Sequence, residues 1–193
     1  MTPLVAIYLL WLVWITSWIV AAMWVSPTIK HAGLGRELLY RLLVFAGYVF
    51  LFGFVSTRYD MLYRVWRTQS GTLGWIMVAL VAIGFTFSWW ARIHLGPLWS
   101  SSVTRKSSHR VIDTGPYSVV RHPIYTGITL AALATAIVHG APTSFFGVAL
   151  MTTGWYVKAR LEERFLREEL GPEAYDAYAR RVAMLVPFVR WPG

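Results

Sequence analysis

The sequence predicts an all-α integral membrane protein with about five transmembrane helices in a single domain, residues 1–193. Three observations predict it. The chain is 56% hydrophobic and only 14% charged, against about 25% charged residues in soluble domains. Long stretches contain no Asp, Glu, Lys or Arg. When those stretches are threaded through a bilayer, fifteen of the eighteen Lys and Arg fall on one side.

The first stretch, Leu4 to Val25, is 22 residues without a charge, about 33 Å as a helix and enough for a hydrocarbon core. A signal peptide is the competing reading, but there is no basic n-region and the apolar run is too long. Leu38 to Thr57 is the second stretch, interrupted only by Arg41, and Gly71 to Ala91 is the third. Pro123 to Val157 then runs 35 uncharged residues, too long for one crossing. Gly140-Ala141-Pro142 marks a turn near its middle, so two short crossings in a tight hairpin are expected. The domain therefore divides into three N-terminal spans (1–91) and a second part (92–193) with a linker, a helical hairpin and C-terminal helices.

With five spans, the first linker, the third linker and the C-terminal tail share the positive side, which is expected to be cytoplasmic. Only Arg58, Arg64 and Arg67 lie on the other side, and the N-terminus is expected outside. The net charge of +9 thus reads as a topology signal with added attraction to anionic lipid heads, and a nucleic-acid partner is not expected. There are no cysteines, which excludes disulfides, thiolate metal sites and a Cys nucleophile. Gly33-Leu34-Gly35 is a lone GxG without a preceding strand, so it is no dinucleotide site. His94, His109 and His122 match no metal-ligand spacing, and no metal is expected. His31 and His139 read as boundary residues.

Two cytoplasmic segments carry the polar residues: the linker from His94 to His122, and the tail from Lys158 onward. The hairpin brings them to the same face, so a site built from both is expected. Asp113-Thr114-Gly115-Pro116 is a turn signature. His122 precedes a proline and is biased away from helix, while Pro123 suits a first helical position. The fourth span should start at Pro123, with its positive N-terminal end toward the cytoplasm, beside Arg121 and His122, where an anion is favoured. Interface anchoring by Arg, His and Tyr and ligand binding both fit this spacing. In the tail, Trp155, Lys158, Glu162, Phe165 and Leu166 recur at helical spacing. The fifth span should therefore continue as an amphipathic helix, with Lys158 and Glu162 as i,i+4 neighbours and Glu162 and Glu163 about 100° apart. Gly171-Pro172 should stop it before a short helix, Glu173 to Arg181, with Tyr175 and Tyr178 on nearly one face.

The run His109-Arg110-Val111-Ile112, then Gly115-Pro116-Tyr117, then Arg121-His122-Pro123-Ile124-Tyr125 resembles the cofactor motif of the isoprenylcysteine carboxyl methyltransferase family. The phospholipid methyltransferases share a similar pattern. Glu162-Glu163, Leu170-Gly171-Pro172-Glu173-Ala174-Tyr175, Tyr178, Val182 and Pro187-Phe188 match in the tail, as does His94-Leu95-Gly96 with Trp99. The likeness covers Arg92 to Phe188, half the chain. It implies a membrane-embedded, S-adenosyl-L-methionine-dependent methyltransferase without a Rossmann fold. Its cofactor site would be formed by the linker before the fourth span and the C-terminal helices.

Carried over by position, the cofactor-binding residues are His109, Arg110, Val111, Ile112, Tyr117, His122, Pro123, Ile124, Tyr125 and Glu162; Arg121 joins them by charge. The fourth-span N-terminus with Arg121 and His122 would take the cofactor carboxylate and Glu162 its ammonium, with tyrosines facing the sulfonium. The family places a substrate arginine four residues before that glutamate. Here the position is Lys158, which keeps the charge without the bidentate fork, and Arg160 is close by; both are substrate-binding candidates. The expected acceptor is lipophilic, foremost the carboxylate of a prenylcysteine-like substrate, which needs no general base. A lipid amine or a thiol is the alternative, with His109 or Tyr125 as candidate base. A non-enzymatic membrane protein is the third reading.

Overall fold

The computed structural model of the protein describes residues 1–23, 30–31, 34–53, 71–96, 99, 104–105 and 112–189. Among these are six α-helices: α1 (Pro3–Ala21), α2 (Leu34–Leu51), α3 (Thr72–Leu95), α4 (Pro123–His139), α5 (Pro142–Leu170) and α6 (Pro172–Arg181). A 3-10 turn covers Gly115–Ser118. Two strands of two residues, β1 (Lys30–His31) and β2 (Thr104–Arg105), pair antiparallel and tie the first and third linkers together.

The expected apolar segments are helical, with shifted ends. α1 stops at Ala21 rather than Val25, α2 starts four residues before Leu38, and α3 runs on to Leu95. The far end of the second segment, beyond Gly53, lies outside the described residues. By length and composition α1 and α3 can cross a membrane; α4 is apolar but shorter.

Proline opens α1, α4, α5 and α6, because its fixed φ suits the first turn and its missing N–H has no intrahelical partner there. Thr2 caps α1, its hydroxyl accepting the Val5 N–H at 3.4 Å. α4 ends in the left-handed conformation at Gly140 (φ 63°), whose N–H reaches the Ala136 carbonyl at 2.9 Å. Pro142 then opens α5, giving the tight hairpin that Gly140-Ala141-Pro142 predicts.

In space the helices follow the order α1, α3, α4, α5, α2. Close approach rests on small residues, as helix contacts in lipid do where water supplies no driving force. A Cβ on Gly84 of α3 would lie 2.5 Å from the Gly127 carbonyl oxygen of α4, so only glycine lets these backbones meet. The Ser88 hydroxyl beside them donates to the Ile124 carbonyl at 3.1 Å. Gly47 of α2 and Gly147 of α5 abut in the same way. Trp11 of α1 packs edge-on to Phe85 of α3, and its indole N–H donates to Thr135 of α4 at 2.9 Å. Outward, α1 leaves Val13 63% and Val20 68% exposed, and α3 leaves Ile93 61% exposed.

One feature of the fold sets up the site. After α6 the chain returns alongside residues 120–122. The Arg121 N–H donates to Ala183 O at 2.8 Å, the His122 N–H to Met184 O at 3.1 Å, and the Thr126 hydroxyl to Leu185 O at 2.6 Å. The start of α4 is thus flanked by the chain's own C-terminal segment.

Candidate functional site

The linker turn is held from both sides. Tyr117 is buried, its carbonyl accepts the Tyr178 hydroxyl at 2.8 Å, and the His94 ring stacks against it. Tyr175 and Tyr178 do share one buried face of α6, with ring centroids 6.1 Å apart. From this turn the chain enters Arg121, His122 and Pro123.

Arg121 is a brace. Its Nε donates to Glu163 Oε1 at 2.7 Å, and its Nη1 donates to the carbonyls of Ala179 and Val182 at 2.8 and 2.6 Å. This guanidinium joins α4, α5 and the end of α6, and those contacts account for its placement beside the helix start. His122 is buried between two carboxylates: its Nδ1 is 3.5 Å from Glu162 Oε2 and its Nε2 3.2 Å from Glu163 Oε1. The two glutamates point to different sides of α5, as adjacent helical residues must, and a single imidazole spans them.

The charges hold one another. Burial alone would lower the His122 pKa, but the hydrogen bonds and negative charge of Glu162 and Glu163 outweigh it and raise the value. Burial works against the ionised Glu163 as well, yet His122 and Arg121 bring its pKa down to about 2. Glu162 is likewise lowered against burial, by Lys158, His122 and Tyr125. Lys158 goes the other way: burial lowers its pKa, and the Glu162 charge only partly offsets this. At neutral pH the glutamates are therefore anionic, as buried carboxylates with two or more donors are.

An aromatic group completes the cluster. Tyr125 stacks almost parallel to His122 (5.5 Å, 8°) and to Trp155 (4.9 Å, 6°), and its hydroxyl donates to Glu162 Oε1 at 2.7 Å. The Lys158 ammonium lies 5.4 Å from the Tyr125 ring centroid, 5.9 Å from Trp155 and 5.5 Å from Tyr40 of α2. It also lies 3.8 Å from Glu162 Oε1. Glu162 has the most open side chain of the ionic pairs here, 22% exposed against 7% for Lys158 and 10% for Glu163. That open edge lets the cluster meet a ligand, and what it offers is a carboxylate beside aromatic rings, a setting for a cation.

Arg121, His122, Tyr125, Lys158 and Glu162 therefore converge. Pro123 is buried at the start of α4, next to His122, and Tyr117 is buried in the linker turn before it. Ile124 is turned into the apolar core, and Ile112 packs against that core. Arg160 is exposed on a different face of α5 and does not join the cluster. His109, Arg110 and Val111 lie outside the described residues. Sequence reasoning missed Glu163 as a bracing group and Tyr40 as a wall. The buried stripe Tyr40, Val44, Gly47 and Leu51 marks the inner face of α2 at helical spacing, but nothing in it tells that Tyr40 meets Lys158. The two boundary histidines are placed unequally. His139 bonds Tyr8 and Ser144 at the hairpin end, at 3.0 and 3.1 Å. His31 lies in β1.

Residues 76–168 match the model of the isoprenylcysteine carboxyl methyltransferase (ICMT) family. The chain is similar to this family over those residues, a little under half of its length. A probable protein-S-isoprenylcysteine O-methyltransferase of Oryza sativa subsp. japonica is 31% identical over 113 residues, 58% of this chain and 53% of the relative. Protein-S-isoprenylcysteine O-methyltransferase B of Arabidopsis thaliana is 30% identical over 88 residues, 45% of this chain and 44% of the relative. A methanethiol S-methyltransferase of Pseudomonas sp. is 39% identical over 72 residues, 37% of this chain and 26% of the relative. The chain spans about half the length of the isoprenylcysteine methyltransferases it matches. The ICMT match runs from within α3 to within α5. It thus takes in the linker, α4 and both glutamates, and leaves out Tyr40.

Proposed function

We propose that the chain is an S-adenosylmethionine-dependent methyltransferase of the membrane, with five crossing helices, that methylates a lipophilic acceptor. The carboxylate of a prenylcysteine-like substrate is the acceptor we favour. The observation that carries the reading is Glu162, an anionic carboxylate with one open edge, fixed by Tyr125 and His122 beside aromatic rings. These residues fit a ligand with an ammonium and a sulfonium. The buried Trp155 Nε1, which has no hydrogen-bond partner among the described residues, is a further donor at the same place.

When bound, the cofactor supplies a methyl group activated by the adjacent sulfonium. The chain's own residues do the rest. Glu162 takes the ammonium, and the rings of Tyr125 and Trp155 favour positive charge near them. His122 and Arg121 keep Glu162 and Glu163 ionised and in place. A carboxylate acceptor needs no base, so alignment and exclusion of water are the protein's main contributions. The apolar outer faces of α1 and α3 suit delivery of such an acceptor through the bilayer. The fifteen-to-three distribution of Lys and Arg supports a cytoplasmic site and an outside N-terminus.

A thiol acceptor is the second reading, favoured by the 39% identity to the methanethiol S-methyltransferase. It needs a base. Tyr125, with its hydroxyl hydrogen on Glu162, is the candidate among the described residues. Transfer of labelled methyl to a membrane extract separates the two readings. Base-labile label is expected for an ester, and base-stable label favours the thiol. The cofactor site is tested by Glu162→Ala in the full chain, which should reduce S-adenosylmethionine binding at least tenfold in calorimetry, the loss of one ionic contact in a buried setting. Wild-type affinity in that variant would overturn the assignment.

A further inference from the structure

Lys158 occupies a place suited to a ligand cation. Its ammonium has three aromatic ring centroids within 5.9 Å, from Tyr40, Tyr125 and Trp155, and the Glu162 carboxylate at 3.8 Å. Aromatic rings closed by one carboxylate make a general recognition site for an ammonium or sulfonium. Lys158 reaches it from one turn before Glu162, on the same helix. The other charges of α2 near it, Glu37 and Arg41, are paired with each other at 2.8 Å.

We infer that Lys158 is an internal occupant of the cation seat, which the ammonium of an incoming ligand displaces from Glu162. The inference rests on the methyltransferase reading above and deepens it. One carboxylate with a single open edge cannot hold two ammonium groups at close range without their mutual repulsion. Binding of a ligand ammonium therefore requires Lys158 to withdraw. Its four-carbon stem is long enough to swing. Its burial already disfavours the charged form, so the seat holds it weakly. Lys158 thereby sets cofactor affinity lower than the seat alone would give, and its release frees a positive charge beside the ligand.

The test compares two nucleosides on the full-length protein in detergent. S-adenosylhomocysteine carries the α-ammonium; 5′-methylthioadenosine lacks the amino-acid part. Lys158→Met keeps the length of the side chain and suits an aromatic pocket. It should bind S-adenosylhomocysteine about three- to tenfold tighter than wild type, with methylthioadenosine affinity unchanged within about twofold, as fits removal of one competing ion pair. Lys158→Arg, which keeps the charge, should retain the wild-type ratio. Lys158→Gln carries the same comparison if the methionine variant does not fold, as judged by thermal melting. An unchanged ratio in the uncharged variant, or weaker S-adenosylhomocysteine binding, overturns the inference while wild-type binding leaves the methyltransferase reading standing. Failure of every protein to bind either nucleoside overturns that reading and this inference together.

Discussion

Two aromatic clusters of this protein use the same residue types for opposite purposes. Around Trp11, rings meet edge to face: Phe85 at 82°, Phe52 at 84° and Tyr48 at 88°. The Trp11 indole N–H is satisfied inside, on Thr135. Around Tyr125 the rings lie parallel, within 8°, and their polar ends run into charge, with the hydroxyl on Glu162 and the imidazole between two glutamates. Edge-to-face packing satisfies the ring quadrupoles against one another and leaves a dry brace between α1, α3 and α4. Parallel packing beside carboxylates and an ammonium leaves a surface that responds to a ligand's charge. The difference lies in what surrounds the rings: neutral side chains in the first cluster, and in the second five ionisable side chains, Arg121 and His122 just before α4 and Lys158, Glu162 and Glu163 on α5.

Breaking the charged cluster should have the larger effect. Glu163→Gln removes the carboxylate shared by Arg121 and His122, both poorly exposed. Loss of one partner from a buried ion pair costs about 3 kcal/mol or more, read as a lower melting temperature in detergent. The gap between wild type and this variant should depend on pH. The Glu163 pKa is lowered to about 2 from 4.5, so its contribution is complete above pH 4.5 and is lost as pH falls toward 2. His122 is raised above 6.5, so the contribution of its charge is complete below pH 6.5 and is lost as pH rises through the raised value. The gap should be widest between those limits, about pH 4.5 to 6.5. A gap constant across the range would mean that Glu163 braces by packing alone.

The dry cluster is sharpened by Thr135→Val. This removes the acceptor of the Trp11 indole and keeps the volume, leaving a buried N–H without a partner at a cost of about 1–2 kcal/mol. Melting should shift, and S-adenosylhomocysteine affinity should not. A change in affinity would join the two clusters and undo the contrast between brace and binding surface.

The apolar segments and the hairpin were legible because chain-local signals set them. Uncharged runs give the helices, and Pro123, Gly140, Pro142 and Gly171-Pro172 give their ends. The pairing of the linker with the tail was legible only through two motifs in the right order and on one predicted side. What did not show was tertiary. Arg121 looks like an anion binder by charge and position. It became a brace because the last turn of α6 and the residue after it supply the Ala179 and Val182 carbonyls, which no local pattern announces. Tyr40 entered the site because the glycine contacts of α2 and α5 bring their backbones together, and that depends on two segments about a hundred residues apart.

The smallest expected effect is at Arg160, and it tests which charge on α5 belongs to the site. Arg160 and Lys158 are two residues apart, so about 200° separates them around the helix, and only Lys158 is buried. Exposed charges of this kind contribute under about 0.5 kcal/mol. Arg160→Ala should therefore leave melting, S-adenosylhomocysteine affinity and the acceptor KM within error of wild type, while Lys158 variants move the affinity. A raised acceptor KM in Arg160→Ala with unchanged nucleoside binding would place the substrate headgroup on the exposed face of α5, and would extend the charged region beyond the cluster around Tyr125.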